Sequence, residues 1–144
     1  MGDLTYDQLG DRLASGKLGG SFFLKTDDPF LRDEAIARLT AVHLEGGSAD
    51  FDLDQLSGSE VDASTVAAVL ETPPMLSSYR VVVIRDAQGL IPSARTVVEQ
   101  AVSRKVDRRA VIITAEIPRG SKAKFYDVLR KNCVTVSLRS PEPS

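Results

Sequence analysis

The fold is decided by residues 22–35, FFLKTDDPFLRDEA, which join a short apolar run to the start of a helix. The run Phe22–Leu24 predicts a buried strand. Asp28 is placed to cap the following helix with its side chain, and Pro29 stands at the first helical position, where no N–H is needed. Apolar residues then recur at helical spacing until a glycine pair ends the helix: Leu31, Ala35, Leu39, Val42, then Gly46–Gly47. The stretch therefore predicts the strand–loop–helix unit of an α/β fold.

The rest of the chain repeats this alternation of strands and helices. Two continuous, mostly β-branched runs, Val81–Ile84 and Ala110–Thr114, predict central strands that are covered on both faces. Residues 51–56 and 134–138 alternate apolar and polar side chains instead, which predicts strands at the two edges of the sheet. The intervening helices are predicted at residues 62–70, 94–102 and 122–131. We therefore predict a three-layer α/β domain with a mainly parallel, five-stranded sheet of the P-loop NTPase type.

The domain is predicted to span residues 1–139. It begins with a helix near Thr5, whose hydroxyl can form a capping box with Gln8. Residues 140–144, Ser-Pro-Glu-Pro-Ser, have the composition of a linker. We therefore expect the sequence to be a truncated piece of a longer protein, with a further region following the linker.

The composition is that of a globular protein, with 42% hydrophobic and 26% charged residues. No stretch approaches the roughly 20 consecutive apolar residues that span a bilayer, and the acidic N-terminus lacks a signal-peptide pattern. The single cysteine, Cys133, cannot form an internal disulfide, and we expect it to be a small, partly buried residue at the start of the last strand. These features predict a cytoplasmic protein with no membrane partner.

The net charge of −2 conceals a strong asymmetry between the two ends of the chain. Residues 1–71 carry 5 Lys or Arg against 14 Asp or Glu, whereas residues 104–139 carry 10 Lys or Arg against 3 Asp or Glu. Such polarity can orient a subunit against charged neighbours. Because the basic residues are spread over two helices and their connections, we interpret most of them as solvated helix faces.

The loop after the first strand lacks the features of a phosphate-binding loop. A nucleotide hydrolase carries G-x-x-x-x-G-K-[ST] here, whose backbone amides and Lys hold the phosphates. This chain instead has Thr26, Asp27, Asp28 and Pro29, with no glycine. Two carboxylates and a residue without an amide donor occupy the helix N-terminus, where an anion would otherwise bind. We therefore predict a degenerate phosphate loop and no bound nucleotide or other cofactor.

The other reactive residues do not predict catalysis or metal binding. Asp86 follows the third predicted strand, where a magnesium-binding Asp would stand, but Ala87 replaces the carboxylate that would activate water. We interpret Asp86 as a turn residue. His43, the one histidine, is expected to be exposed or to interact with the dipole at the end of its helix. Since one Cys and one His cannot form a zinc site, the sequence predicts a domain that is not an enzyme by itself.

Three stretches, in this order and spacing, resemble the N-terminal domain of the bacterial DNA polymerase III delta subunit, the clamp-opening subunit of the clamp loader. Residues 23–35 are similar to the family's G-[DE]-[DE]-P-[FL]-L-x-x-E-A, with Thr26 in place of its usual glycine. Residues 51–58, FDLDQLSG, and residues 72–86, TPPMLSSYRVVVIRD, follow as they do in the family. The resemblance covers about residues 20–139.

The resemblance implies an AAA+-like domain that has lost ATP binding and that contacts the ring-shaped sliding clamp, the beta subunit, during replication. It implies that the clamp-contacting element lies just before the third strand, with Met75 and Leu76 as its hydrophobic pair. Pro73 and Pro74 stiffen the approach to this pair, and together the four residues are the expected clamp-binding site. Family members continue into a lid domain and a collar domain, so the other clamp-loader subunits are implied partners of the full-length protein. DNA is then contacted indirectly, through the loader.

Alternatives to this interpretation also follow from the sequence. Without the resemblance, Met75 and Leu76 would be interpreted as part of the domain's own core. A small-molecule enzyme on the same sheet, such as a nucleotide kinase, would need the phosphate loop that is missing. A nucleic-acid-binding module would use the basic region 104–131 and would contact phosphates through Arg104, Lys105, Arg108 and Arg109.

Overall fold

A computed structural model describes residues 2–44 and 49–138, which form one five-stranded sheet flanked by helices. The strands are β1 (Gly20–Lys25), β2 (Leu53–Ser57), β3 (Arg80–Arg85), β4 (Arg109–Ala115) and β5 (Val134–Ser137). The helices are α1 (Tyr6–Ala14), α2 (Pro29–Leu44), the short α3 (Ala49–Asp52), α4 (Ala63–Glu71), α5 (Pro92–Val102) and α6 (Lys124–Asn132), with a 3₁₀ turn at Ala87–Gly89. Across the two described ranges, no helix is both long enough and apolar enough to cross a membrane.

The strands are ordered β2-β3-β4-β1-β5, and every pairing between neighbours is parallel. The two alternating segments therefore lie at the edges and the continuous apolar runs lie at the centre, which confirms the predicted order. The reason is burial. A central parallel strand is covered on both faces and has no solvent-facing row for polar side chains, whereas an edge strand retains one.

Helices cover both faces of the sheet, which confirms the three-layer architecture. Because successive side chains of a strand point to opposite faces, Phe22 and Phe23 enter different cores. Phe22 packs with Leu39 of α2 on one face, and Phe23 packs with Val98 of α5 and Phe125 of α6 on the other. All five side chains are at most 3% exposed, so each face of the sheet contributes a full hydrophobic core.

Side-chain caps set three helix starts, two of which, at Thr5 and Asp28, the sequence predicted. Thr5 and Gln8 form the expected reciprocal capping box at α1. The Asp28 carboxylate accepts hydrogen bonds from the first amides of α2, and Asp62 caps α4. The observed helix bounds differ from the predicted ones by one or two residues. The predicted ranges include a capping residue or leave out the first turn, whereas the observed ranges contain only helical residues. The predicted glycine stop at residues 46–47 and the linker at 140–144 lie outside the described residues.

One predicted boundary is wrong. The second strand was expected over residues 51–56, but Phe51 and Asp52 belong to α3 and β2 begins at Leu53. The alternating sequence FDLDQL fits a strand throughout. In the structure, however, the Asp52 carboxylate is fully buried and binds backbone amides of a distant loop, so this residue serves a contact that local periodicity does not contain.

Candidate functional site

At the carboxyl-terminal edge of the sheet, where nucleotides bind in folds of this kind, the first amides of α2 are bonded to the chain's own side chains. Asp28 Oδ1 accepts hydrogen bonds from the amides of Phe30 (2.9 Å) and Leu31 (3.3 Å). Thr26 Oγ1 accepts one from the Asp28 amide (2.9 Å), and Asp27 is exposed beside them. The amides at the N-terminus of α2 are therefore bonded to a carboxylate where a phosphate would sit.

Asp86 is a turn residue, as predicted. It follows β3 with a left-handed backbone, φ 55°, and its amide donates to Thr114 Oγ1 (3.1 Å). Its carbonyl oxygen lies so close to Gly58 that a Cβ there would approach it to 2.2 Å, so only glycine fits at that position. Within residues 2–44 and 49–138, no three His, Cys, Asp or Glu residues are grouped so as to hold a metal ion.

The opposite edge of the sheet carries an exposed apolar pair. Residues 73–78, here called the Pro73–Ser78 loop, precede the amino end of β3. In this loop the Met75 side chain is 69% exposed and the Leu76 side chain is 68% exposed. The alternative that this pair fills the domain's own core is therefore wrong. Large exposed apolar side chains that stand next to each other are typical of protein-binding sites.

A buried carboxylate holds the middle of the Pro73–Ser78 loop. Asp52 Oδ1 accepts the amide of Met75 (2.5 Å), and Asp52 Oδ2 accepts those of Leu76 (2.8 Å) and Ser77 (2.6 Å). Burial alone would raise the pKa of Asp52, but these three amides together with the nearby Arg80 lower it below its usual 3.8. The side chain is therefore a carboxylate at neutral pH, and it fixes three consecutive backbone units of the loop.

Arg80, the first residue of β3, positions Asp52. Its guanidinium is buried and lies 4.0 Å from Asp52 Oδ1. It also donates to the backbone oxygen of Phe51 (3.0 Å) and forms an ion pair with Asp54. The end of α3, the start of β2 and the start of β3 are thus connected through one side chain, and Asp52 has little freedom to move.

The far end of the Pro73–Ser78 loop is tied to α2 and to the residue before β4. Ser77 Oγ donates to the carbonyl of Leu44 in the last turn of α2 (3.2 Å). Arg108 donates from Nε to the carbonyl of Ser78 (3.1 Å) and from Nη2 to that of Ser77 (3.4 Å). The backbone is thus fixed from Met75 to Ser78, while the side chains of Met75 and Leu76 point away from the core.

His43 is not exposed, so the expectation of exposure is wrong, and its contact with the end of α2 is a hydrogen bond to a backbone carbonyl. The ring is completely buried; its Nδ1 donates to the carbonyl of Leu39 (2.7 Å), and its Nε2 accepts the amide of Gly19 (2.9 Å). Tyr79 packs edge-on against it, with ring centroids 5.1 Å apart. Burial lowers the pKa of His43, so the imidazole is neutral and acts as a structural link between α2, the start of β1 and the residue before β3.

Sequence reasoning missed three residues that form or support this site: Phe51, Asp52 and Arg80. Phe51 is 52% exposed and directly precedes the carboxylate that holds Met75 and Leu76, so it adds a third apolar side chain to this side of the protein. No signal in the sequence marked Asp52, because it stands in the alternating segment 51–56, where a carboxylate is expected on the solvated face. Cys133 agrees with the prediction: it is partly buried beside β5, and burial raises the pKa of its thiol to about 12.

Comparison with known proteins places the chain in a replication family. The family model described as DNA polymerase III, delta subunit, matches residues 23–138. Among solved structures, the Bacillus subtilis DNA clamp loader delta protein superposes with a TM-score of 0.79 at 16% identity, over 90% of this chain and 41% of that protein. No curated protein gives a significant sequence match.

More distant solved structures share the fold. A Thermotoga maritima protein related to the DNA polymerase III gamma subunit superposes with a TM-score of 0.70 at 13% identity, over 92% of this chain and 47% of that one. A mutant of Thermotoga maritima RuvB superposes with a TM-score of 0.57 at 13% identity, over 89% and 40% of the two chains. The chain therefore spans less than half the length of each of these proteins, and the fold is that of AAA+ domains.

Proposed function

The chain belongs to the DNA polymerase III delta subunit family, and we propose that it binds the sliding clamp through the Pro73–Ser78 loop as part of the cytoplasmic clamp loader. The observation that carries the proposal is the exposed pair Met75 and Leu76 on a backbone fixed by Asp52. Pro73 and Pro74 lead into this pair and restrict the chain before it.

The geometry favours binding for an energetic reason. A loop that is already ordered loses little conformational entropy when a partner covers it, so more of the contact energy contributes to affinity. Its amides at residues 75–77 are bonded within the chain, so covering them with an apolar surface leaves no donor unpaired. The flexible thioether of Met75 can adapt to the shape of an apolar pocket beside the more rigid Leu76.

On this proposal the domain contributes to ring opening by binding energy alone. A ligand shifts a closed–open equilibrium only as far as it binds the open form better. The clamp surface that receives Met75 and Leu76 would therefore have a different shape in the open ring. The remaining loader subunits, and DNA through them, are proposed partners of the full-length protein.

We expect the chain to bind the sliding clamp of its own organism in a saturable manner. The measurement is surface plasmon resonance over immobilised clamp, with free clamp added to the chain in solution as a competitor that must abolish the signal. A folded chain that gives no saturable signal at concentrations up to about 100 µM, the weak end of specific protein association, would contradict the proposal.

We also propose that the domain neither binds nor hydrolyses ATP and that it is not an enzyme by itself. The support is the position of the Asp28 carboxylate, which occupies the amides of Phe30 and Leu31, next to the exposed Asp27. A triphosphate there would have to displace one carboxylate and approach another.

Titration of the chain with ATP and magnesium by isothermal calorimetry is therefore expected to give no saturable heat. ADP with magnesium serves as a second ligand, because it has one phosphate fewer and therefore carries less charge to be repelled. Saturable binding of either nucleotide at micromolar concentrations would show that the helix terminus can still accept phosphate.

A further inference from the structure

A cavity of about 640 Å³ opens at the amino-terminal edge of the sheet, beside the Pro73–Ser78 loop. This edge is opposite the one where residues 26–29 lie. It is bordered by the starts of β1, β4 and β5, at Gly20, Arg109 and Val134, and by Tyr79 just before β3. Six cationic side chains line it: Arg12, Arg104, Lys105, Arg108, Arg109 and Lys131.

These cations are not neutralised within the described part of the chain. Asp107 is the one carboxylate in the lining, and the ion pairs of the described residues all lie elsewhere. In addition, Arg12 Nε is shielded from solvent and has no hydrogen-bond partner among the described residues. Cations that face one cavity without counter-charges repel each other, so the arrangement is stabilised when an anion enters.

Two of the arginines are held rigidly. Arg109 is 7% exposed and donates to the carbonyls of Leu70 (3.2 Å) and Ala101 (3.0 Å). Burial and, after it, the charge of Arg104 lower the pKa of Arg109. Arg108 is held by the carbonyls of Ser77 and Ser78. The lining thus combines guanidinium groups that are hydrogen-bonded in place with the exposed cationic side chains of Arg104 and Lys105.

We propose that this cavity binds the phosphate backbone of nucleic acid. Four of the six cations are arginines, whose planar guanidinium groups match phosphate oxygens in a bidentate manner. A single phosphate would leave most of the positive charge unbalanced, whereas successive phosphates of one strand can meet several cations together. Ser21 and Asn132 add polar groups for further contacts to phosphate or sugar. This inference rests on the charge of the cavity and not on clamp binding.

The test is fluorescence anisotropy of a labelled duplex of about 20 base pairs, titrated with the chain at several salt concentrations. Arg104→Ala with Lys105→Ala removes two cavity cations that are exposed and hold no other residue. Arg119→Ala with Lys122→Ala is the matched control, since it removes the same charge from exposed positions outside the cavity. The fold of each variant is checked by its melting temperature.

We expect the wild-type chain to bind the duplex in low salt, and the cavity variant to bind it at least about tenfold more weakly. The slope of log K against log salt should become shallower by about two, one for each lost phosphate contact. The control variant should change affinity less than about twofold.

Equal losses of affinity in both variants would overturn the proposal, because they would show diffuse attraction of DNA instead of a binding site. No duplex binding in low salt would overturn the proposal, as would a cavity variant that weakens clamp binding alone, because the cations would then face an acidic protein surface.

Discussion

A chain that carries Met75→Ala together with Leu76→Ala is expected to bind the sliding clamp at least about a hundredfold more weakly, with an unchanged melting temperature. Central apolar contacts of protein interfaces lose about 2 kcal/mol or more when they are truncated to alanine, and two such losses correspond to two or more powers of ten in affinity. Both side chains are more than two-thirds exposed, so the free domain loses almost no packing. Surface plasmon resonance gives the affinity, and thermal unfolding gives the melting temperature.

The matched control is Phe30→Ala together with Ile91→Ala. These side chains are also large, apolar and exposed (73% and 48%), but they follow β1 and β3, at the opposite edge of the sheet from the Pro73–Ser78 loop. Their truncation should leave clamp binding unchanged. If the control weakens binding as much as the Met75 and Leu76 variant does, or if that variant binds normally, the clamp is held by another surface.

The strand order could be predicted because burial leaves a direct record in the sequence. Val81–Ile84 and Ala110–Thr114 are apolar on both faces since helices cover both. Helix starts were equally predictable, because the Asp28 and Asp62 caps act on amides within three residues of themselves. At these helix starts, the contact that fixes the structure joins residues that are close in sequence.

The supporting contacts of the candidate site could not be predicted, because they join residues that are distant in sequence. Asp52 holds amides 23 to 25 positions away, and His43 accepts the amide of Gly19, 24 positions before it. No periodicity encodes such pairs. A polar residue at a buried site looks the same in the sequence as one on a solvated edge, as the wrong predictions for Asp52 and His43 show.

The basic residues illustrate the same point at the scale of the fold. In the sequence they are spread along the chain and suggest solvated helix faces. The parallel sheet brings the starts of β1, β4 and β5 to one edge, so Arg12 from α1 and Lys131 from α6 meet residues 104–109 around one cavity. Their grouping is a result of topology, which only the folded chain displays.

Asp52→Asn is expected to lower both the stability of the domain and its affinity for the clamp. An amide has one accepting oxygen, so it can keep the bonds to Leu76 and Ser77 or the one to Met75, but not all three. At least one amide then faces an NH₂ group, and Arg80 loses a negative neighbour at 4.0 Å. A buried donor without a partner costs about 1–3 kcal/mol, and loss of the charge adds to this, so we expect about 2–4 kcal/mol in urea unfolding at neutral pH.

The pH dependence distinguishes the carboxylate's role from a general loss of packing. The folded-state pKa of Asp52 lies below its usual 3.8, so its stabilisation is fully present above that value and is lost as the pH falls through the folded pKa. The stabilities of wild type and Asp52→Asn should therefore converge in acid. Asp50→Asn, at an exposed position of the same short helix, is the matched control and should equal wild type at neutral pH.

A stability difference that stays constant down to acidic pH would mean that the shape of Asp52, and not its charge, holds the Pro73–Ser78 loop. If Asp52→Asn binds the clamp as tightly as wild type while the Met75 and Leu76 variant does not, the side chains alone carry the contact and the ordered backbone adds nothing to affinity.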